Sequence, residues 1–160
     1  MERIEELLKG ILKGRITVVG VGNTEKGDDG VGHILADRIK GKLDAFVICA
    51  GPTPENFLRP IRDSRPETIL VIDASELGAE AGDAKLLTKE DIPLYGLSTH
   101  NSSLALFFEF LESDTGASVY LLAIQPGDTG MRKGFSNAVK TRCDELEQTL
   151  LRILPNKEIH

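Results

Sequence analysis

Carboxylate and imidazole side chains stand where apolar segments of the chain give way to loops. Asp28 and Asp29 are adjacent in the glycine-rich loop that follows the apolar run Ile16–Val21. Asp73 ends another apolar run, and His100 stands just before a segment with helical spacing. Two carboxylates and one imidazole suit a divalent transition metal such as nickel or zinc better than calcium or magnesium. The pattern predicts a metal site that takes one of the paired aspartates, Asp73 and His100.

The glycine-rich loop also has to be compared with phosphate-binding loops. A dinucleotide-binding loop would carry its third glycine where Glu25 stands. A nucleotide P-loop would place Lys and then Ser or Thr at the positions of Asp28 and Asp29. Negative charge at these positions repels a phosphate and attracts a cation, so the loop favours a metal. The alternative is structural, with one aspartate capping the following helix and the other lying at its positive end.

The remaining two candidates have structural alternatives of the same kind. Asp73 could cap the turn that follows its strand, and His100 could bond to backbone where a helix begins. A carboxylate that ends a buried run needs a partner to offset its desolvation, which argues for a role beyond a simple turn.

Apolar runs and helical periodicities alternate along the chain. Strands are expected at residues 16–21, 45–50, 67–73, 84–88 and 117–124, with the fourth at a sheet edge. Helices are expected after Gly30, over residues 102–112 and 135–153, and as one short helix with a loop within the proline-rich 51–66 segment, while Leu94–His100 is expected to be a loop. This alternation predicts an α/β three-layer sandwich, a mostly parallel twisted sheet of about five strands with helices on both faces.

The predicted topology brings the candidate residues together. In open parallel sheets, ligands bind outside the carboxyl ends of the strands. Asp28 and Asp29 follow the first strand, Asp73 ends the third, and His100 precedes the helix that leads to the last. All are therefore expected at one edge of the sheet.

Composition limits the classes of function. With 160 residues and 41% hydrophobic content, the chain is expected to be a single domain over residues 1–160, made of an N-terminal amphipathic helix at 1–13 and an α/β domain at 15–154. The net charge is −6 and the basic residues are scattered, which predicts no nucleic-acid partner. Charges interrupt the N-terminal helix, so neither a signal peptide nor membrane insertion is expected. Cys49 and Cys143 form no zinc or CxxC pattern, Cys49 is expected to be a small core residue, and a cytoplasmic location is predicted.

Several of these segments together resemble a known family. The stretches GVGNTEKGDDGVG, GPTPEN, VIDA, STHN and AIQP, in this order and spacing, resemble the hydrogenase maturation endopeptidases, accessory proteases of nickel-iron hydrogenases. The resemblance runs from about Arg15 to Leu150. It implies an aspartyl-type endopeptidase that removes the C-terminal extension of a hydrogenase large-subunit precursor after nickel has been inserted.

The resemblance also implies roles for particular residues. The family's metal-contacting positions fall on Asp29, Asp73 and His100, which are the implied catalytic and metal-binding residues. Nickel is implied as a feature carried by the precursor, and another divalent metal such as zinc or cadmium is expected to replace it in vitro. No Ser-His-Asp or Cys-His pattern is evident, so a covalent acyl-enzyme is not expected.

The two adjacent aspartates are expected to differ in role. Neighbouring Cα–Cβ bonds diverge, so both carboxylates cannot point at one metal. Asp29 matches the family's contact, and the missing side chain of Gly30 is expected to leave room for the substrate. Asp28 is expected to accept backbone N–H bonds at the start of the following helix.

Two other functions remain open from the sequence. A nickel-sensing chaperone or binding protein for the hydrogenase large subunit could use the same three ligands without cutting its partner. A nucleotide-binding α/β domain is a further alternative, which the acidic loop opposes.

Overall fold

A computed structural model describes residues 1–92 and 100–156, and the side chains of these ranges other than 100–103. The predicted loop Leu94–His100 lies outside the described residues, except that the backbone of His100 begins a helix.

Strands and helices alternate through the described chain. The strands are β1 (Ile16–Val21), β2 (Phe46–Gly51), β3 (Thr68–Ala74), β4 (Ala84–Leu87) and β5 (Ser118–Ile124). The helices are α1 (Glu2–Ile11), α2 (Val31–Ile39), α3 (Leu58–Asp63), α4 (His100–Thr115) and α5 (Asn137–Ile153). Short 3-10 turns at Gly27–Gly30 and Pro54–Phe57 precede α2 and α3.

The five strands form one sheet in the order β2-β1-β3-β5-β4. The first four strands in this order are parallel, and β4 pairs antiparallel with β5 at the edge. The prediction of a mostly parallel five-stranded sheet with one weaker edge strand is confirmed. The carboxyl ends of β1, β3 and β5 are therefore adjacent, which brings the loops after these strands to a common edge.

Each face of the sheet carries its own hydrophobic core. Side chains alternate along parallel strands, so a strand buried on both faces is almost entirely apolar, as in β1, where Thr17 is the one polar side chain and bonds to Ser64. One core lies between the sheet and α1, α2 and α5, with Leu35, Ile72 and Leu146 among its buried members. The other lies between the sheet and α3 and α4, and includes Ile61, Val71 and Phe108. The three-layer arrangement follows from this division.

Helix α2 begins directly against the carboxyl ends of two strands. A Cβ atom added at Gly32 would lie 2.0 Å from the carbonyl oxygen of Ile72 and 2.4 Å from that of Val21. Both obstacles are backbone atoms of the sheet and cannot rotate away. Glycine at this position therefore sets how closely the loop after β1 approaches the end of β3.

The N-terminal helix packs on the same face as α2 and α5. Ile4 and Leu8 of α1 are buried in that core, while Leu7 is 40% exposed. Among the described residues, no helix is both long and apolar enough to cross a membrane.

Replacing Gly32 by alanine should destabilise the fold by about 1–3 kcal/mol, because the added methyl group has to push the start of α2 away from the carbonyl groups at the ends of β1 and β3. Gly10→Ala is the matched control, since Gly10 also lies in a helix but has no atom within 4 Å of an added Cβ. The control should be more stable than the wild type by about 0.5–1 kcal/mol. Urea unfolding of both variants measures the difference, and a Gly32→Ala protein as stable as the control would contradict the close packing described here.

Candidate functional site

The loop after β1 places two neighbouring carboxylates in different surroundings. Asp28 and Asp29 lie in the 3-10 turn Gly27–Gly30 that leads into α2. Asp28 is completely buried, whereas Asp29 is partly exposed. The divergence expected for adjacent side chains is therefore present.

The Asp28 carboxylate accepts four hydrogen bonds from the segment between β5 and α5. Its Oδ2 accepts the backbone N–H groups of Gly127 and Asp128, both at 2.8 Å, and the Ser136 hydroxyl at 2.7 Å. Its Oδ1 accepts the backbone N–H of Ser136 at 2.8 Å. Burial works to raise the pKa of Asp28, but the hydrogen bonds from Asp128, Ser136 and Gly127 outweigh it and lower that pKa. Asp28 therefore remains an anion inside the protein.

This arrangement corrects the expected capping role of Asp28. No side chain caps α2 or the 3-10 turn before it. The carboxylate instead lies at the beginning of α5, where Ser136 is the N-cap residue and donates both its N–H and its hydroxyl. A negative charge at a helix N-terminus is stabilising, so the sequence indicates the correct kind of interaction but the wrong helix. Contacts across about a hundred residues leave no local signal in the sequence.

Asp29 is held toward the sheet edge by the loop that precedes it. Its Oδ2 accepts the backbone N–H of Asn23 at 3.1 Å. The side-chain oxygen of Asn23 in turn accepts the N–H of Glu25 at 2.9 Å, which closes a tight turn. The Asp29 carboxylate therefore accepts a hydrogen bond from Asn23 through Oδ2, and its side chain remains partly exposed to solvent.

Asp73 lies near the end of β3 and interacts electrostatically with Asp29. Alternation along the strand places it on the same face as Val71, the face covered by α3 and α4. Burial raises the pKa of Asp73 well above its ordinary value, and the negative charge of Asp29 raises it further, against a hydrogen bond from the Ala74 backbone. Two carboxylates close enough for one to oppose ionisation of the other form a site that a divalent cation would stabilise.

His100 is placed only by its backbone. It begins α4, the helix that packs on the same face of the sheet as Asp73. Its side chain lies outside the described part of the structure, so the predicted convergence of Asp29, Asp73 and His100 stays a prediction for the third residue. Among the side chains that are described, no group of three or more His, Cys, Asp and Glu residues could hold a metal.

The room expected at Gly30 is already filled. An added Cβ there would lie 2.8 Å from the Cα of Thr24 and 3.2 Å from the carbonyl oxygen of Asn23. Gly30 therefore lets the loop fold back on itself, and the expectation that it opens toward a substrate is wrong.

A second histidine lies at this edge of the sheet. His33, in the first turn of α2, accepts the backbone N–H of Gly51 through Nδ1 at 3.1 Å, and Gly51 ends β2. The Gly51 carbonyl accepts the N–H of Gly22, so the loops after β1 and β2 are joined. The sequence shows His33 only as a helix residue, because its distance from Gly51 along the chain hides this contact.

The cysteines are poor candidates for a nucleophile. Burial raises the pKa of Cys143 to about 11, and burial followed by the charge of Asp37 raises the pKa of the Cys49 thiol. A thiol whose pKa is raised is mostly protonated at neutral pH and is a weak nucleophile. Cys49 packs partly buried against the core beside α2, in agreement with its expected role as a small core residue.

Asp28→Asn should lower the free energy of unfolding at pH 7 by about 1–3 kcal/mol, because the new amide group cannot accept a bond and would face a buried N–H donor. The pKa of Asp28 is lower in the folded state than its ordinary value of 3.8, so its stabilisation is complete above that value and is lost as pH falls through the folded pKa. The gap between wild type and variant should therefore shrink in acid.

Unfolding curves at pH 7 and at pH 3 measure this difference. Asp37→Asn is the matched control, because Asp37 is exposed on α2 and its replacement should change stability by less than about 0.5 kcal/mol. Equal stability of the two variants at pH 7 would show that the Asp28 hydrogen bonds contribute little.

Comparisons with known proteins agree on one family. The family model described as hydrogenase maturation protease matches residues 30–153, a range that includes Asp73 and His100 and begins one residue after Asp29. The chain is 32% identical to the hydrogenase 3 maturation protease of Escherichia coli strain K12, over 81% of this chain and 85% of that protein. It is 29% identical to a putative hydrogenase maturation protease of Methanocaldococcus jannaschii, over 94% and 96% of the two chains.

A solved structure extends this agreement to the fold. The crystal structure of the [NiFe] hydrogenase maturation protease HycI from Thermococcus kodakarensis KOD1 superposes with a TM-score of 0.84 at 28% identity, covering 92% of this chain and 98% of that one. Sequence and fold therefore lead to the same conclusion: the chain is an endopeptidase that belongs to the hydrogenase maturation protease family.

Proposed function

We propose that this protease removes the C-terminal extension of a nickel-iron hydrogenase large-subunit precursor after nickel has been inserted. In this proposal Asp29, Asp73 and His100 bind the nickel that the precursor carries. It is supported most by the placement of Asp29 in the loop after β1 and of Asp73 at the end of the neighbouring strand β3, where burial and then the Asp29 charge raise the pKa of Asp73. Family membership supports proteolysis in hydrogenase maturation, and the similar protein from Thermococcus kodakarensis is a maturation protease of a [NiFe] hydrogenase.

The chemistry of the donor set fits a transition metal. Two carboxylates and an imidazole leave coordination positions for ligands from the precursor, which a site for a metal held by the substrate requires. The two acids come from different elements, the loop after β1 and the end of β3, and Gly32 of α2 packs tightly against the ends of both strands. We also propose that another divalent metal such as zinc or cadmium can occupy these ligands in vitro.

The state of Asp73 couples recognition to pH. Because burial and the Asp29 charge raise its pKa, Asp73 holds a proton over a wider pH range than an ordinary aspartate. That proton has to leave when the carboxylate becomes a metal ligand, so acid opposes nickel recognition. We expect cleavage to fall as pH is lowered through the pKa of Asp73, above the ordinary value of 3.8.

Hydrolysis in this proposal uses water directly. The raised pKa values of Cys49 and Cys143 disfavour a thiolate nucleophile, and His33 is engaged with the Gly51 backbone through Nδ1. A divalent cation bound beside the scissile bond would polarise its carbonyl group or lower the pKa of a water molecule. Asp29 and Asp73 contribute by fixing where the metal-bearing segment lies. We place the reaction in the cytoplasm, which suits two free cysteines.

The test of this function is incubation of the purified protein with a nickel-loaded and a nickel-free large-subunit precursor. Mass spectrometry of the products should show a shortened large subunit only with the nickel-loaded precursor. Binding of an intact nickel-loaded precursor without cleavage would favour the chaperone alternative and contradict the proposal.

Loss of any proposed nickel ligand should abolish cleavage while the protein stays folded. Asp29→Asn, Asp73→Asn and His100→Ala should each lower kcat/KM for the nickel-loaded precursor by more than about 100-fold, because even outer partners of metal ligands cost about 10–100-fold. Asp37→Asn, an exposed acid outside the site, should cleave normally.

Circular dichroism establishes that each variant is folded before cleavage is measured. Normal processing by Asp29→Asn or Asp73→Asn would remove that residue from the site. Loss of processing in a folded Asp28→Asn protein, with normal processing by Asp29→Asn, would reverse the roles assigned to the two neighbours.

A further inference from the structure

The segment between β5 and α5 exposes an unusual apolar residue. Residues 127–134 are exposed, and within them Met131 is 81% exposed. The other large apolar residues with high exposure in the described chain are less open, between 40% and 65%: Leu7, Phe46, Leu106 and Phe110. Methionine adapts its shape to a partner surface, and it is common at surfaces that bind peptides.

This segment is fixed at its base. Besides the four hydrogen bonds to Asp28, the N–H of Gly27 donates to the Arg132 carbonyl at 2.7 Å and the N–H of Asp28 donates to the Asp128 carbonyl at 2.8 Å. Within the segment, Gly130 donates its N–H to the Asp128 side chain at 2.9 Å. Because the backbone is already fixed, binding at this segment would order little beyond the Met131 side chain itself.

The segment lies beside the two acids of the candidate site. Its bonds reach Gly27 and Asp28, and Asp29 is the next residue. It also begins just beyond Ile124, the residue of β5 that pairs with Ala74, directly after Asp73 in β3. A peptide that reaches Asp29 and Asp73 therefore has the 127–133 segment as a neighbouring surface.

The charged side chains near Met131 do not shield it from solvent. Arg132 pairs with Asp128 at 3.1 Å and Lys133 pairs with Glu25 at 3.9 Å, and all four side chains are about half exposed or more. Pairs exposed to this degree are weak and do not cover the methionine. Met131 is thus one exposed apolar side chain among polar and charged neighbours, and a partner can contact it without breaking a buried ion pair.

We propose that residues 127–133 are a substrate-docking loop of the protease, in which Met131 contacts an apolar side chain of the precursor close to the bond that is cut. The proposal rests on the proposed function, since the occupant is the precursor of that reaction. Asp28 has a positioning role, because its buried carboxylate fixes the loop that carries Met131.

The experiment compares steady-state cleavage of the nickel-loaded precursor by the wild type, Met131→Ala, Met131→Asp and Met131→Leu. We expect KM to rise about tenfold for Met131→Asp and less for Met131→Ala, with kcat within about twofold, because contact with the precursor is lost but the acids are untouched. Met131→Leu should restore most of the affinity.

Phe46→Ala is the matched control. Phe46 is 50% exposed at the start of β2, on the opposite edge of the sheet, and its loss should leave KM unchanged. An unchanged KM in the Met131 variants, or a fall in kcat with KM unchanged, would overturn the docking role while wild-type cleavage still supports the proposed function. Absence of cleavage by the wild type would instead contradict the proposed function and, with it, this inference.

Discussion

The buried carboxylate of Asp28 connects the loop after β1 to the start of α5. Burying a carboxylate costs free energy unless its oxygens accept hydrogen bonds. Four donors from Gly127, Asp128 and Ser136 supply those bonds to Asp28, which is fully buried. The donors belong to a segment about a hundred residues away, so the bonds fix two of the loops at the carboxyl edge relative to each other. The position of Asp29, the next residue, is a consequence of this anchor.

The same edge contains an arrangement that is unfavourable in the absence of a cation. The charge of Asp29 opposes the ionisation of Asp73, and burial of Asp73 is the larger part of the effect. Asp73 avoids this opposition by holding a proton, and a divalent cation bound to both acids would offset it and favour the ionised carboxylate. In the function proposed above, the metal carried by the precursor would bind both acids and so contribute to recognition of the precursor. The family assignment and the electrostatics of the site thus support one account.

Much of this architecture can be predicted from local sequence pattern. The uninterrupted apolar runs at β1, β3 and β5 indicate strands buried on both faces, and the glycine-rich loop after β1 and the acid that ends β3 indicate the edge where the candidate residues lie. Contacts between distant segments cannot be predicted in this way. Local pattern assigns Asp28 to its own helix, predicts that Gly30 opens toward substrate, and gives no sign of the bond between His33 and Gly51. The partners of Asp28 and His33 lie far along the chain. Which atoms face Gly30 is decided by how the loop folds, because Thr24 and Asn23 lie against it only in the folded protein.

Titration of Asp73 by carboxyl 13C NMR, in the wild type and in Asp29→Asn, measures whether the two acids share one metal-recognising site. Asp73 should titrate well above 3.8 in the wild type, and its pKa should fall in Asp29→Asn because the opposing charge has been removed. Added Ni²⁺ should lower the Asp73 pKa in the wild type, because a bound cation favours the carboxylate. An Asp73 that titrates at its ordinary value, with no response to Asp29→Asn or to Ni²⁺, would contradict a shared metal-recognising site formed by the two acids.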